Sequence, residues 1–129
     1  MMELIVNRAR SYIFTTASSP ADTAAATASL RVLRSEEGHR LRCRLRGLVD
    51  RVVPGHPSPI IPIVVGEERA AVAAAAALFD RGLLVPAIRP PTVPPGSSRL
   101  RVALSAAHTD EQVDALVAGL DACVPEWRG

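Results

Sequence analysis

Residues 87–116, AIRPPTVPPGSSRLRVALSAAHTDEQVDAL, constrain the fold more than any other stretch, because a loop, a strand and a helix follow one another within them. Pro90 and Pro91 each fix φ and offer no amide hydrogen, so the loop carrying Thr92 is held in shape and can present a hydroxyl. After Gly96 the residues alternate. Leu100, Val102 and Leu104 fall on one face and Arg99, Arg101 and Ala103 on the other, which predicts a half-buried strand over 99–104. Both arginines then lie on the side away from the core. Thr109, followed by Asp110 and Glu111, predicts a capped helix whose Val113, Leu116, Val117 and Leu120 share a face.

The rest of the chain is punctuated in the same way. Met2, Leu4, Ile5 and Val6 read as the end of a helix, followed by a short extended segment over 12–15. Ser19 is placed to cap a helix that has Pro20 at its first position and Asp22 in its first turn; this helix is expected over 21–33, ending in the charged stretch at 36–38. In 39–51 the arginines at every second position would permit a strand. Leu41, Leu45, Leu48, Val49 and Val52 fit helical spacing, and a helix is the prediction. The turn-rich run 54–59 ends it.

A β-branched strand follows over 60–65, and Pro62 within it requires an edge position or a bulge. Gly66, Glu67 and Glu68 lead into an alanine-rich helix that Gly82 stops, and a second strand is expected over 83–88. Three strands with helices before, between and after them give an α+β class: a small three-stranded sheet covered by helices. Alanine side chains bury little area each, so this sheet is expected to leave a face seeking a partner.

At 129 residues with 48% hydrophobic content, the chain supports one modest core. A net charge of +2 is too small to imply nucleic acid. The arginines of 39–51 read either as a basic stripe for nucleic acid or an acyl-carrier protein, or as a solvated helix face; no aromatic residues are interleaved for base stacking. Cys43 and Cys123 fit no metal or redox spacing and are expected to be free thiols. Apolar runs fall short of a membrane span and no cleavable leader is legible, so the expectation is a cytoplasmic chain without membrane or nucleic-acid partners. Lysine is absent: all 15 basic side chains are arginine.

The run RPPTVPPGSSRLRVALSAAHT resembles the C-terminal signature of the α-oxoamine synthases, pyridoxal-phosphate enzymes that condense an amino acid with an acyl thioester. RARSYIFTT, PIIPIVVG and ALFDRGLLVPAIRPP occur in that family's order. The likeness covers nearly all of this chain but only the C-terminal portion of the family. It implies a fold like the C-terminal small domain of fold-type I pyridoxal-phosphate enzymes, with residues 1–18 the end of the large domain and a linker, and 19–129 the small domain. By the resemblance, Arg101 holds the substrate carboxylate, for which the planar fork of a guanidinium is suited, and Thr92 is the substrate-contacting threonine.

Thr15 or Thr16 would contact the phosphate of the neighbouring subunit's cofactor, the alternative being β-forming threonines that end a strand. Where the family has TALPP, this chain has the more polar Thr16-Ala17-Ser18-Ser19-Pro20. Arg89 and Arg99 read as structural or solvent-facing, and His108 as a helix-entry residue rather than a base. Pyridoxal phosphate is tethered through a lysine amine, so this chain is expected neither to bind it covalently nor to supply a catalytic residue. The implied partners are an upstream large domain, a second subunit, an amino acid and an acyl thioester. Two alternatives stay open: a stand-alone carboxylate-binding or regulatory module, and a portion of a family member that uses glycine with another thioester.

Overall fold

The computed structural model describes residues 2–13, 17–124 and 126–128. The chain forms two compact units, Met1–His39 and Arg40–Gly129. The first contains α1 (Met2–Arg8), α2 (Arg10–Ile13), α3 (Pro20–Arg34) and the first residues of α4 (Glu36–Val52). The extended segment expected over 12–15 is not found where it is described: Tyr12 and Ile13 close α2, and the Ile13 amide donates to the Ala9 carbonyl at 3.0 Å, a helical bond that outweighs their β propensity. Ser19 caps α3 as expected, its Oγ accepting from the Asp22 amide at 3.1 Å. Glu36 and Glu37, expected at the end of this helix, instead open α4. Ser35 separates the two helices, its amide donating back to the Val32 carbonyl at 3.0 Å and its Oγ accepting from the Gly38 amide at 3.2 Å.

The second unit holds the sheet. Its strands are β1 (Ile60–Gly66), β2 (Ala87–Ile88) and β3 (Ser98–Ala103), in the order β1-β3-β2. Since β3 is antiparallel to both neighbours, β1 and β2 run parallel and are joined by α5 (Glu68–Phe79), with β3 inserted between them. Pro62 is on an edge strand, and the register slips between Val64 and Gly66, so both devices expected around that proline are present. The second strand is much shorter than the 83–88 expected. Leu83 belongs to the stop of α5, where its amide donates to the Leu78 carbonyl and that of Gly82 (φ 77°) to Phe79. Pro86 then has no N–H for a ladder; only its carbonyl pairs, accepting from the Arg101 amide at 3.0 Å.

The core lies on one face of this sheet. Ile61 and Ile63 of β1 and Leu100 and Val102 of β3 pack with Leu48, Val49 and Val52 of α4, Leu78 of α5, and Val113, Leu116 and Leu120 of α6 (Asp110–Cys123). Trp127 closes the cluster, its Nε1 donating to Asp121 at 2.8 Å, so this residue packs the described part of the C-terminal tail onto the core. The opposite face of the sheet is bare within this unit's described residues: Ile60 and Val64 remain 53% and 60% exposed, and Pro62, Arg101 and Ala103 are exposed beside them. Among the described residues of this unit, the helices therefore cover one side of the sheet.

Three arginines of α4 serve the fold. Arg44 donates to the carbonyls of Ala106 and His108 at 3.0 and 2.8 Å, Arg46 to that of His56 at 2.6 Å, and Arg51 to both Asp110 and Asp114. Arg44 and Arg51 tie α4 to the entry of α6, where Thr109 and Gln112 form a capping box, and Arg46 ties it to the turn that follows the helix. The Asp114 and Asp110 carboxylates hold Arg51 above its ordinary guanidinium range. No disulfide joins Cys43 and Cys123. Among the described residues no helix is long and apolar enough to cross a membrane.

Glu67 caps α5, accepting from the Ala70 amide at 2.6 Å; backbone amides of Arg69 and Ala70 hold its carboxyl below the ordinary value of 4.5. A depressed carboxyl stabilises the fold above its unfolded pKa, and that stabilisation is lost as pH falls through the folded value. Acid unfolding below about pH 4.5 is therefore expected to be less steep in Glu67→Gln than in the parent chain. Superimposable acid limbs in a circular-dichroism titration would refute this.

Candidate functional site

The β2–β3 connection carries the residues that the sequence singles out. Arg89 follows β2 directly, and its guanidinium donates to Glu68 at the start of α5 at 2.7 Å. The Pro90–Pro91 peptide bond is cis, and the Thr92 amide donates to the Arg89 carbonyl at 3.0 Å, closing a turn that leaves Thr92 exposed. A second turn brings the amide and Oγ of Ser97 to the Pro94 carbonyl, at 3.2 and 2.7 Å. The chain then enters β3.

Three arginines border this connection, and the structure separates them. Arg89 is paired with Glu68, and Arg99 donates its Nε to the Ser97 carbonyl at 3.0 Å. Arg101 is exposed, and its guanidinium makes no hydrogen bond or ion pair among the described residues. It stands at the middle of the open sheet face, directly opposite Pro62 of β1, with exposed Ile60 and Val64 as its diagonal neighbours. A charged fork on an apolar ledge can make two parallel bonds to a carboxylate, and these strengthen once a partner surface excludes water.

The structure places Thr92 in the loop and Arg101 on the strand, so they share one chain segment. Two open clefts lie elsewhere. One of about 370 Å³ is bordered by Leu83, Val85, Val102, His108, Gln112 and Leu116. Another of about 540 Å³ is bordered by residues including Arg51, His56, Pro62 and Trp127. Neither is bordered by Thr92 or Arg101. His108 orders the entry to α6, its Nδ1 accepting from the Ser105 amide at 3.1 Å. Among the described residues no group of three His, Cys, Asp or Glu side chains can hold a metal ion. Thr15 and Thr16 lie outside the described residues.

Two features of this region escaped sequence reasoning. Glu68, read there only as leading into the alanine-rich helix, is the partner of Arg89. Ser98 is fully buried, and its Oγ finds no partner among the described residues. The strand parity that predicts burial of Leu100 also assigns Ser98 to the core face, so its burial was available as a signal.

Comparison with known proteins identifies the family. Residues 1–120 match the family model described as aminotransferase class I and II. Among curated relatives, the chain is 49% identical over 134 residues to 8-amino-7-oxononanoate synthase of Anaeromyxobacter dehalogenans strain 2CP-1, covering 98% of this chain and 34% of that protein. It is 52% identical over 128 residues to the protein of the same name from Alkalilimnicola ehrlichii, covering 93% of this chain and 33% of that one. The chain thus spans about a third of the length of the curated relatives it matches.

Solved structures give the same picture. The serine palmitoyltransferase variant K265A from S. paucimobilis, with a PLP–myriocin aldimine bound, matches at a TM-score of 0.80 and 28% identity over 97% of this chain and 34% of that one. The 8-amino-7-oxononanoate synthase from Francisella tularensis matches at 0.59 and 26% over 94% and 38%. With the family model covering nearly its whole length, the chain belongs to the aminotransferase class I and II family.

Proposed function

We propose that this chain is the C-terminal portion of an 8-amino-7-oxononanoate synthase, an enzyme that joins L-alanine to a pimeloyl thioester in biotin biosynthesis, releasing carbon dioxide and the thiol carrier. In this reading, residues 19–129 are the small domain, and 1–18 are the end of the large domain and its linker. The reading rests chiefly on Arg101: of the three arginines around the β2–β3 connection, it alone has no partner among the described residues, and it occupies the position that the family signature assigns to the carboxylate.

Its fork fixes the carboxylate of L-alanine and thereby the orientation of the Cα bond that reacts, while Thr92 contacts substrate from the loop. Thr15 or Thr16 meets the cofactor phosphate of a second subunit in a homodimer. The cofactor's covalent anchor does not fit this chain, because all 15 basic side chains are arginine. A lysine-bearing large domain must supply it, and the assembled enzyme is cytoplasmic.

The purified chain, given pyridoxal phosphate, L-alanine and a pimeloyl thioester, is expected to form no product and to retain no cofactor after borohydride treatment. Addition of a lysine-bearing upstream portion should restore turnover. Turnover by the chain alone would overturn the reading. The structural match to serine palmitoyltransferase, at the higher TM-score, favours a second reading as another α-oxoamine synthase. Sequence identity of 49% against 28% weighs the other way, since substrate choice is a property of side chains. Assaying the restored enzyme with L-serine and a palmitoyl thioester separates the two.

A further inference from the structure

We propose that Glu68 is a positioning residue for the Thr92 loop, acting through Arg89 from a corner, residues 66–68, that grips the loop at both stems. Each stem has its own contact. At the first, the Glu68 carboxylate accepts from Arg89 at 2.7 Å, and the carbonyl of the same arginine accepts from the Thr92 amide at 3.0 Å. Carboxylate, guanidinium, carbonyl and amide thus form one chain from the start of α5 to the loop residue that faces solvent.

At the second stem, Gly66 pairs with Ser98 across the register slip in β1. It packs against the loop: a Cβ placed on it would sit 3.6 Å from the Gly96 carbonyl oxygen, at ordinary contact distance. Its φ of 90° lets the chain turn there from strand into helix. The corner is itself fixed, because Glu67 caps α5 through the Ala70 amide. Loop ends held by a single rigid corner cannot separate, so the intervening prolines transmit that constraint to Thr92.

The Arg89–Glu68 pair is about half exposed on both sides, so its contribution to global stability is small. Its effect is on local order. The proposal rests on the reading of Thr92 as a substrate contact only for its purpose, and the test reads the loop itself. Amide hydrogen exchange is measured by NMR on the 129-residue chain and on Glu68→Gln, Arg89→Gln and the double variant.

Exchange at Thr92 is expected to rise about three-fold in each single variant and no further in the double, because both remove the same pair. Glu68→Asp, which keeps the charge, should restore part of the protection. Leu100 and Val102 amides should be unchanged in every variant, showing that β3 remains folded. Thr92 exchange equal to the parent in Glu68→Gln, or additive effects in the double variant, would overturn the proposal. The functional reading is tested separately by Thr92→Ala in the enzyme completed with its lysine-bearing portion: an unchanged KM for the amino acid would strike that reading and leave the loop result intact.

Discussion

Replacing Arg101 by alanine, in the enzyme completed with a lysine-bearing upstream portion, is expected to lower kcat/KM for the amino acid by about 10²- to 10³-fold. Each charge-assisted hydrogen bond to a carboxylate contributes about 1.5–3 kcal/mol, so the two made by the fork contribute about 3–6 kcal/mol; water that takes the place of the lost guanidinium keeps the loss at the lower end, about 3–4 kcal/mol, and a decade corresponds to about 1.4 kcal/mol. Lysine should recover only part of this, because a point charge on a flexible stem does not fix the plane of the carboxylate.

The same substitution should leave the urea midpoint of the isolated chain nearly unchanged, since Arg101 is exposed and its guanidinium has no partner among the described residues. Arg99→Ala is the control on the same strand face. Its side chain is bonded to Ser97 and is expected to affect activity far less. Equal kcat/KM in parent and Arg101→Ala enzymes would remove the assignment.

Leu100→Ala is expected to have the largest effect on stability, about 3 kcal/mol. Leu100 has 0% exposure and sits on the central strand, where its side chain meets the layer formed by α4, α5 and α6. Truncation removes its transfer free energy and leaves a cavity, because a strand paired on both sides cannot collapse inward. The urea midpoint should fall with an unchanged m-value. Leu84→Ala removes the same atoms from a side chain that is 81% exposed and should shift stability by less than about 0.5 kcal/mol. A similar shift in both variants would mean that the core is not where this structure places it.

Much of the architecture was legible because its causes are local. Ser19, Thr109 and the break at 54–59 declare themselves in the chain, since a cap or turn is satisfied by atoms a few residues away. Strand parity in 99–104 separated Leu100 and Val102 from Arg99 and Arg101 for the same reason. The helix over 39–51 was recoverable from its apolar spacing despite the alternating arginines. What those arginines do was not. Arg44 and Arg51 find their partners 62 and 59 residues away, and no local pattern reports a contact at that separation.

The sequence by itself determined the class, the edge character of the strand with Pro62, and the two candidate residues Thr92 and Arg101, because propensity, parity and a family signature are written along the chain. Tertiary structure alone decided the strand order, with β3 between β1 and β2, and the contraction of the second strand to Ala87–Ile88. It also decided which arginine is left unengaged. Arg89, Arg99 and Arg101 are chemically identical in sequence; only the fold brings Glu68 to the first and the Ser97 carbonyl to the second, and turns the third onto an open apolar face.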